Sequence, residues 1–322
     1  MLGAVGRLSK RASGWRVWSA LLIVYILWGS TYFGIRVMVE TMPPLLAAGL
    51  RFGAAALVLS LIAALRGEWR TGLSKGQILS CALVGVALFA GGNGLLALSE
   101  QRIPSGVASL VIACSPLLVA LMGLVAFRTP IGLWQGAGMA LGFGGLFILG
   151  RPGGGAHLDP IGLLEVLCAA TCWSLGSVIA SRSPLPGTPL AAASLQQAFG
   201  ALSLLLLGLT SGELNGFQSG HVSGRSLLAV AYLITFGSLV AFTAYSWLVT
   251  TAPLSLVFTY VYVNPVVAVA LGALFIGERV TSTILIGGAV ILAGVAIIMS
   301  GQALAHRRTE PARTPVEANS GP

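Results

Sequence analysis

Apolar residues run along this chain in blocks of about twenty, separated by short stretches that hold most of the polar and basic residues. A helix needs roughly 20 predominantly apolar residues to cross about 30 Å of hydrocarbon. On that measure the pattern predicts ten membrane helices, over 17–36, 44–65, 77–99, 106–127, 131–150, 160–181, 189–211, 226–249, 254–276 and 281–302. The eighth and ninth run together, because no charged residue lies between Arg225 and Glu278; Thr250-Thr251-Ala252-Pro253 supplies the break. Arg7, Lys10, Arg11 and Arg16 precede an apolar run too long for a cleaved signal peptide, so the first helix is expected to be retained.

Composition agrees with the pattern. Of 322 residues, 56% are hydrophobic and only 8% charged, with a mean hydropathy of +0.91. A water-soluble protein carries about a quarter of its residues charged, and one with so few would leave apolar area over most of its exterior. A bilayer accepts that surface. The net charge of +9 does not point to nucleic acid, because the basic residues sit in short loops and tails rather than along a stripe. With the N-terminus inside, ten crossings put twelve Lys and Arg on the inner face and five on the outer, with Arg51 left inside the second helix. The positive-inside rule therefore favours cytoplasmic termini.

The two halves resemble each other. A shift of 149 residues places Pro104 on Pro253, Pro116 on Pro265, Gly123 on Gly272, Gly138 on Gly287 and Gly145 on Gly294. Near the starts of the halves a slightly smaller shift places Trp28 on Trp173 and Arg51 near Gln197. Five helices per half is an odd number, so the second copy is expected to enter the membrane inverted, as in secondary transporters. The expected organisation is a basic cytoplasmic segment 1–16, a first repeat 17–150, a loop 151–159, a second repeat 160–302 and a disordered cytoplasmic tail 303–322.

Polar groups at membrane depth mark a pathway or a packing device. Pro116 and Pro265 each remove a helical hydrogen bond and free a carbonyl, which protein or a water-lined cavity must satisfy; Ser115 and Asn264 stand beside them. These helix breaks are either plain kinks or parts of a cavity. Tyr25, Trp28 and Tyr32 share one face of the first helix at i, i+3 and i+7. With Ser30, Asn93, Trp173, Tyr245, Tyr260 and Asn264 they either pack between helices or line a site for flat or amphipathic solutes. Arg36, Arg51, Glu100 and Glu278 are expected near the outer ends of helices, as an ion-pair gate or as snorkelling side chains. Glu165, a carboxylate inside the sixth helix, is the candidate for proton coupling. Small residues on the fifth helix (Gly136, Ala140, Gly144, with Gly138 and Gly142 alongside) allow close approach within a subunit or across a dimer.

Catalytic signatures are absent. There is no G-x-x-x-x-G-K-[ST], the three histidines lie in loops or the tail, and Asp159 is the only aspartate. Cys81, Cys114, Cys168 and Cys172 fall in apolar segments, which predicts buried packing rather than a disulfide framework or metal site. No enzyme activity, cofactor or metal is expected.

Several of these residues together resemble a known family. Trp28-Gly29-Ser30-Thr31-Tyr32-Phe33 with Arg36 resembles the first-helix signature of EamA-type transporters of the drug/metabolite transporter superfamily. So do Pro43-Pro44 with Arg51-Phe52, Gly92-Asn93-Gly94 with Glu100, Pro104-Ser105-Gly106, Tyr260 through Pro265, and Gly277-Glu278. The combination is similar to the YedA-like bacterial inner-membrane exporters and covers nearly the whole chain. The resemblance implies a ten-helix, two-repeat fold with cytoplasmic termini, and export of small metabolites or drugs. One departure stands out: many relatives end the fourth helix with Gly-Glu, where this chain has Arg128-Thr129. Glu165 gains nothing from the resemblance.

The expectation is thus a secondary transporter for amino-acid-like or amphipathic compounds and drugs, working by alternating access in the bacterial inner membrane. Its partners would be a small-molecule substrate, lipid and, through Glu165, protons, with the chain a monomer or homodimer. The other class open to such a chain is a non-transporting membrane scaffold.

Overall fold

The computed structural model describes residues 14–128, 132–149, 158–215, 217–252, 254–257 and 259–309. Most of the basic segment 1–16, most of the loop 151–159, Pro253 and the tail from 310 lie outside the described residues. Among the described residues the chain is helical, without strands. Among the described residues, seven helices are long and apolar enough to cross a membrane, and three shorter apolar helices, Leu133–Leu149, Tyr260–Ile276 and Ser282–Ile298, accompany them.

In chain order, α1 spans Gly14–Met38 and α2 Pro44–Leu65. α3 opens as Lys75–Gly85, widens into a π-helix over Val86–Gly94 and closes as Leu95–Ser99. α4 consists of two pieces, Ser105–Ile112 and Ser115–Phe127. α5 spans Leu133–Leu149, α6 Pro160–Arg182 and α7 Pro189–Thr210. α8 repeats the build of α3: Gly224–Tyr232, a π-helix over Leu233–Val240, then Ala241–Thr251. α9 has a short piece, Leu254–Val257, and a main piece, Tyr260–Ile276. α10 runs over Ser282–Thr309, seven residues past the expected end at 302.

Local chemistry sets these boundaries. Pro44, Pro160 and Pro189 occupy first turns, where a missing N–H costs no helical bond. Ser74 accepts from the Gln77 amide at the start of α3, and Ser223 from the Ser226 amide at the start of α8. These caps lie 149 residues apart, whereas Pro44 and Pro189 lie 145 apart. The step of four falls in one place: nine residues (66–74) join α2 to α3, and thirteen (211–223) join α7 to α8. At the far end of the match, Arg128 and Gly277 are again 149 apart, and both adopt the left-handed conformation that ends a helix, φ 50° and 67°.

Packing follows the same correspondence. α1 packs on α8 and α9, and α6 on α3 and α4; α2 packs on α8, and α7 on α3; α2–α7, α4–α9 and α5–α10 pair directly. Exchanging each helix with the one five later turns this set of pairings into itself. Carboxylates tie the halves together in the same way. Glu213, after α7, accepts from the Leu45 and Leu46 amides at the start of α2, both at 2.9 Å. Glu68, after α2, accepts from the hydroxyl of Thr188, the cap of α7, at 2.6 Å. Each half therefore sends an acid to the other half's second-helix N-terminus, where the helix dipole favours negative charge.

The α5–α10 pair meets backbone to backbone. A Cβ on Gly138 would lie 2.6 Å from the Gly294 carbonyl oxygen, and one on Gly145 2.8 Å from that of Gly287. The spaced set Gly136, Ala140 and Gly144 does not make this contact. Ala140 and Gly144 are exposed on the opposite side of α5, so the contact face belongs to Gly138, Gly142 and Gly145. Large apolar side chains cover the exterior, and Trp15, Trp18 and Trp134 are exposed near helix starts. Of the cysteines, Cys81 and Cys114 are buried, but Cys168 is exposed. It shares an outward stripe of α6 with Leu164, Thr171 and Leu175, so packing in the core is not its role.

Candidate functional site

Three rings meet where α1, α8 and α9 converge. The Trp28 ring centre lies 4.8 Å from Tyr245 and 5.1 Å from Tyr260, and the two tyrosines are 6.0 Å apart. Both contacts of Tyr260 are edge-to-face, the geometry that places a positive ring edge on a negative face. Gly29 lets α9 come this close: a Cβ there would lie 2.6 Å from Val267 Cβ. Asn264 is buried on α9. With its amide turned to satisfy both ends, it donates to the Tyr260 carbonyl (3.1 Å) and the Tyr25 carbonyl (3.3 Å). The Tyr25 and Thr259 hydroxyls share a hydrogen bond. Five of the sequence candidates thus form one cluster. They are packed ring on ring in this conformation.

The π-helices place the two tryptophans. In a π-helix the turn widens and hydrogen bonding shifts to i→i+5. The Trp28 indole N–H donates to the carbonyl of Gly237, inside the π-helix of α8, at 3.3 Å. Its counterpart Trp173 lies on Gly92, inside the π-helix of α3, where a Cβ would stand 3.2 Å from the indole ring. Asn93 donates to the Leu88 carbonyl within the same π-helix at 3.1 Å. Each tryptophan therefore rests on the π-helix of the other half.

The prolines do not behave as a matched pair. α4 breaks at Ala113-Cys114, and Pro116 sits in the first turn of the piece that follows. The Ile112 carbonyl, which the proline cannot serve, accepts from Ser115 Oγ at 2.6 Å. The carbonyl of Ser115 in turn accepts from Ser174 Oγ of α6 at 3.2 Å. Of the two expected ways to satisfy the freed carbonyl, protein or a water-lined cavity, a protein side chain does so here. Pro265 lies inside the unbroken piece Tyr260–Ile276, which Thr259 precedes as its cap. Ser30 stands apart from the rings and bonds the Leu27 carbonyl (2.9 Å) and the Tyr232 hydroxyl (2.6 Å). Tyr32 is buried among Ile35, Met38 and Val107, within electrostatic reach of Glu100.

The four charged candidates gather, but none pairs with another. Arg36 donates to the main-chain carbonyl of Glu100, not to its carboxylate. Arg51 is buried, donates from Nε to Ser238 Oγ at 3.1 Å, and lies 4.5 Å over the Phe52 ring. Glu278 accepts from the Ser105 amide (2.8 Å), the Ser105 hydroxyl (3.0 Å) and the Gly106 amide (3.3 Å), so it caps the N-terminus of α4. In place of the expected ion pairs, Arg36, Arg51 and Glu278 each find a backbone or hydroxyl partner on a neighbouring helix. Glu100 alone is left, 0% exposed, with both carboxylate oxygens unpartnered.

Comparison with known proteins assigns this arrangement. The model of the EamA-like transporter family matches the chain twice, over residues 16–151 and 160–300. The chain belongs to the EamA-like transporter family. It is 37% identical over 290 residues to the "Uncharacterized inner membrane transporter YedA" of Escherichia coli K12, spanning 89% of this chain and 92% of that protein. It is 26% identical to the "Uncharacterized transporter YvbV" of Bacillus subtilis, spanning 87% and 91%. It is also 27% identical to a "Probable amino-acid metabolite efflux pump" of Escherichia coli K12, spanning 87% and 93%. A protein of known crystal structure superposes with a TM-score of 0.55 at 24% identity, covering 91% of this chain and 99% of that one, which speaks to the fold alone.

As an EamA-family transporter, the chain works in a lipid environment on a small-molecule substrate. Glu165 is not the lone carboxylate expected for proton coupling. Its side chain is 18% exposed and pairs with Arg102 at 3.5 Å, and Arg102 also holds Asp159 at 3.3 Å. Asp159 caps α6, and its carboxyl is held below the usual carboxylate range, first by the Ile161 amide and then by Arg102. An apolar cleft of ≈590 Å³ lies between α2 and α8, lined by Leu59, Ile62, Leu239, Val240, Thr243, Ala244 and Trp247. No sequence candidate lines it, although Ala244 also packs in the cluster around Trp28. Sequence reasoning missed Tyr232, Gly237, Ser238 and Thr259, which supply the partners of Ser30, Trp28, Arg51 and Tyr25. Their signal was weak: small or hydroxylated residues inside long apolar runs.

Proposed function

We propose that this chain is a secondary transporter that exports small amino-acid-like or amphipathic metabolites across the bacterial inner membrane by alternating access. In this scheme ten helices cross the bilayer as two inverted five-helix repeats, with both termini cytoplasmic and the substrate bound where α1, α8 and α9 meet. The observation that carries it is the exchange between halves: Trp28 on the π-helix of α8, and Trp173 on the π-helix of α3. A site built from mutual contacts of this kind has two alternatives of similar energy, in which the halves trade conformations. The twofold family match and the positive-inside count support the inverted arrangement. The substrate class rests on the packed aromatic cluster with its hydroxyls, and on the name of one relative as a probable amino-acid metabolite efflux pump.

The test is a flux screen in proteoliposomes loaded with amino acids, their analogues and amphipathic drugs. Efflux of at least one class is expected, and Trp28→Ala should reduce it at least tenfold. Flux of no class from correctly inserted protein would point instead to a membrane scaffold.

A further inference from the structure

Glu100 follows the last turn of α3, and the transport scheme leaves it unused. The groups that face it are Tyr32 and Arg36 from α1, Arg51 from α2 and Glu278 from the α9–α10 turn. α6 brings Asp159 and Glu165 to a neighbouring turn, but both are engaged by Arg102. Arg36 is turned to the Glu100 carbonyl, Arg51 to Ser238, and Glu278 to the start of α4. An ionised carboxylate offers about four acceptor positions, and burying it without a donor costs several kcal/mol. The neutral acid carries a much smaller penalty and suits a site already holding one carboxylate within charge reach.

We propose that Glu100 is a proton-binding site, its carboxylate taking one proton from water to become a neutral carboxylic acid in the conformation described here. A metal cation does not fit: it would need several oxygen ligands and would face two guanidinium groups. Loss of the proton creates an anion beside Arg36 and Arg51. Any movement of Arg51 towards it draws on the Nε contact with Ser238, next to Gly237, and Gly237 holds the Trp28 indole. A Cβ at Gly237 would lie 3.2 Å from Arg51 Nη2, so the guanidinium and that turn of α8 are already in contact. Proton occupancy at Glu100 is thereby linked to the aromatic cluster. Only this link depends on the proposed transport function; the proton site itself does not.

Infrared difference spectroscopy of the full chain in lipid nanodiscs, stepped through pH, tests the site without any substrate. Wild type should show the carbonyl band of a protonated carboxylic acid at neutral pH. Glu100→Gln should lose that band, while Glu165→Gln should keep it. If Glu100→Gln does not fold, Glu100→Asp keeps the acid on a shorter stem and should move the band in frequency. Identical spectra for wild type and either Glu100 variant would overturn the proposal. The link is read separately, as substrate-driven proton flux in proteoliposomes, which Glu100→Gln should abolish. Substrate flux with no accompanying proton would remove the link and leave the spectroscopic site standing.

Discussion

The Trp28 indole N–H donates to the Gly237 carbonyl at 3.3 Å, joining a first-half helix to a π-turn of the second half. A π-turn shifts the hydrogen-bond ladder to i→i+5, and the indole adds a donor to one of its carbonyls. Trp28→Phe keeps an aromatic ring against Tyr245 and Tyr260 but removes the donor. The variant should unfold more easily by about 0.5–1.5 kcal/mol, the net worth of one hydrogen bond. Thermal unfolding in detergent checks this. An unchanged midpoint would mean the contact contributes packing alone.

The reciprocal carboxylates predict an ordered pair of effects. Glu213 serves two backbone amides directly, whereas Glu68 accepts from a hydroxyl that already caps its helix. Glu213→Ala should therefore cost about 1–2 kcal/mol, in the upper part of the range for a lost cap. Glu68→Ala should cost a few tenths, since Thr188 still caps α7 without it. Hydrogen–deuterium exchange should rise at Leu45 and Leu46 in the first variant and scarcely change at Ala191 in the second.

Glu278 holds the start of α4 only because Gly272 leaves room. A Cβ at Gly272 would collide with the Glu278 carboxylate and stand 3.1 Å from Ser105 Oγ. Gly272→Ala should expel the carboxylate, deprotecting the Ser105 and Gly106 amides to the same degree as Glu278→Ala. Combining the two substitutions should add little, because both remove one interaction. Additive costs in a double-mutant cycle would refute the shared cause.

Much of this architecture is legible in the sequence, for a physical reason. Lipid-facing and buried helices are both apolar, so run length and loop charge mark each helix with little interference, and Trp28, Tyr245 and Tyr260 are conspicuous in such runs. The π-helices are not legible, because an apolar run has no polar face whose period would reveal a wider turn. The charged end was misjudged for a related cause. Counting charges suggests pairing Arg36 and Arg51 with Glu100 and Glu278, but helix termini and hydroxyls, invisible to a charge count, claim three of the four. The four-residue step in the repeat hid the equivalence of Glu68 and Glu213, which a shift of 149 does not align.

Acid should loosen the start of α6. The Ile161 amide and Arg102 favour the ionised form of Asp159, so its native pKa lies below its unfolded value. A group shifted this way contributes stability above the unfolded pKa, near 3.9, and that contribution is lost as pH falls through the native value. Exchange at the Ile161 amide should accelerate below about pH 4 relative to the interior of α6. In Asp159→Asn this acid-induced step should be missing. A step of the same size in both proteins would place the titrating group elsewhere.

Arg128 and Gly277 end equivalent helices in the same left-handed conformation, and only the glycine suits it. Arg128 is the one non-glycine residue with positive φ among those described, at 50°. A side chain there costs roughly 1–2 kcal/mol through contact of Cβ with the following carbonyl. Glycine removes that cost and returns part of it as unfolded-chain entropy, about 0.5–1 kcal/mol. Arg128 is exposed, so no buried partner is lost on replacing it. Arg128→Gly should therefore stabilise the chain by a few tenths to about 1 kcal/mol. The reverse change at the matched position, Gly277→Arg, should destabilise by a similar or larger amount, since Glu278 caps α4 from the next residue. Unfolding midpoints of the two variants should move in opposite directions. A drop in both would mean that Arg128 is retained for a contact of its own and not merely tolerated.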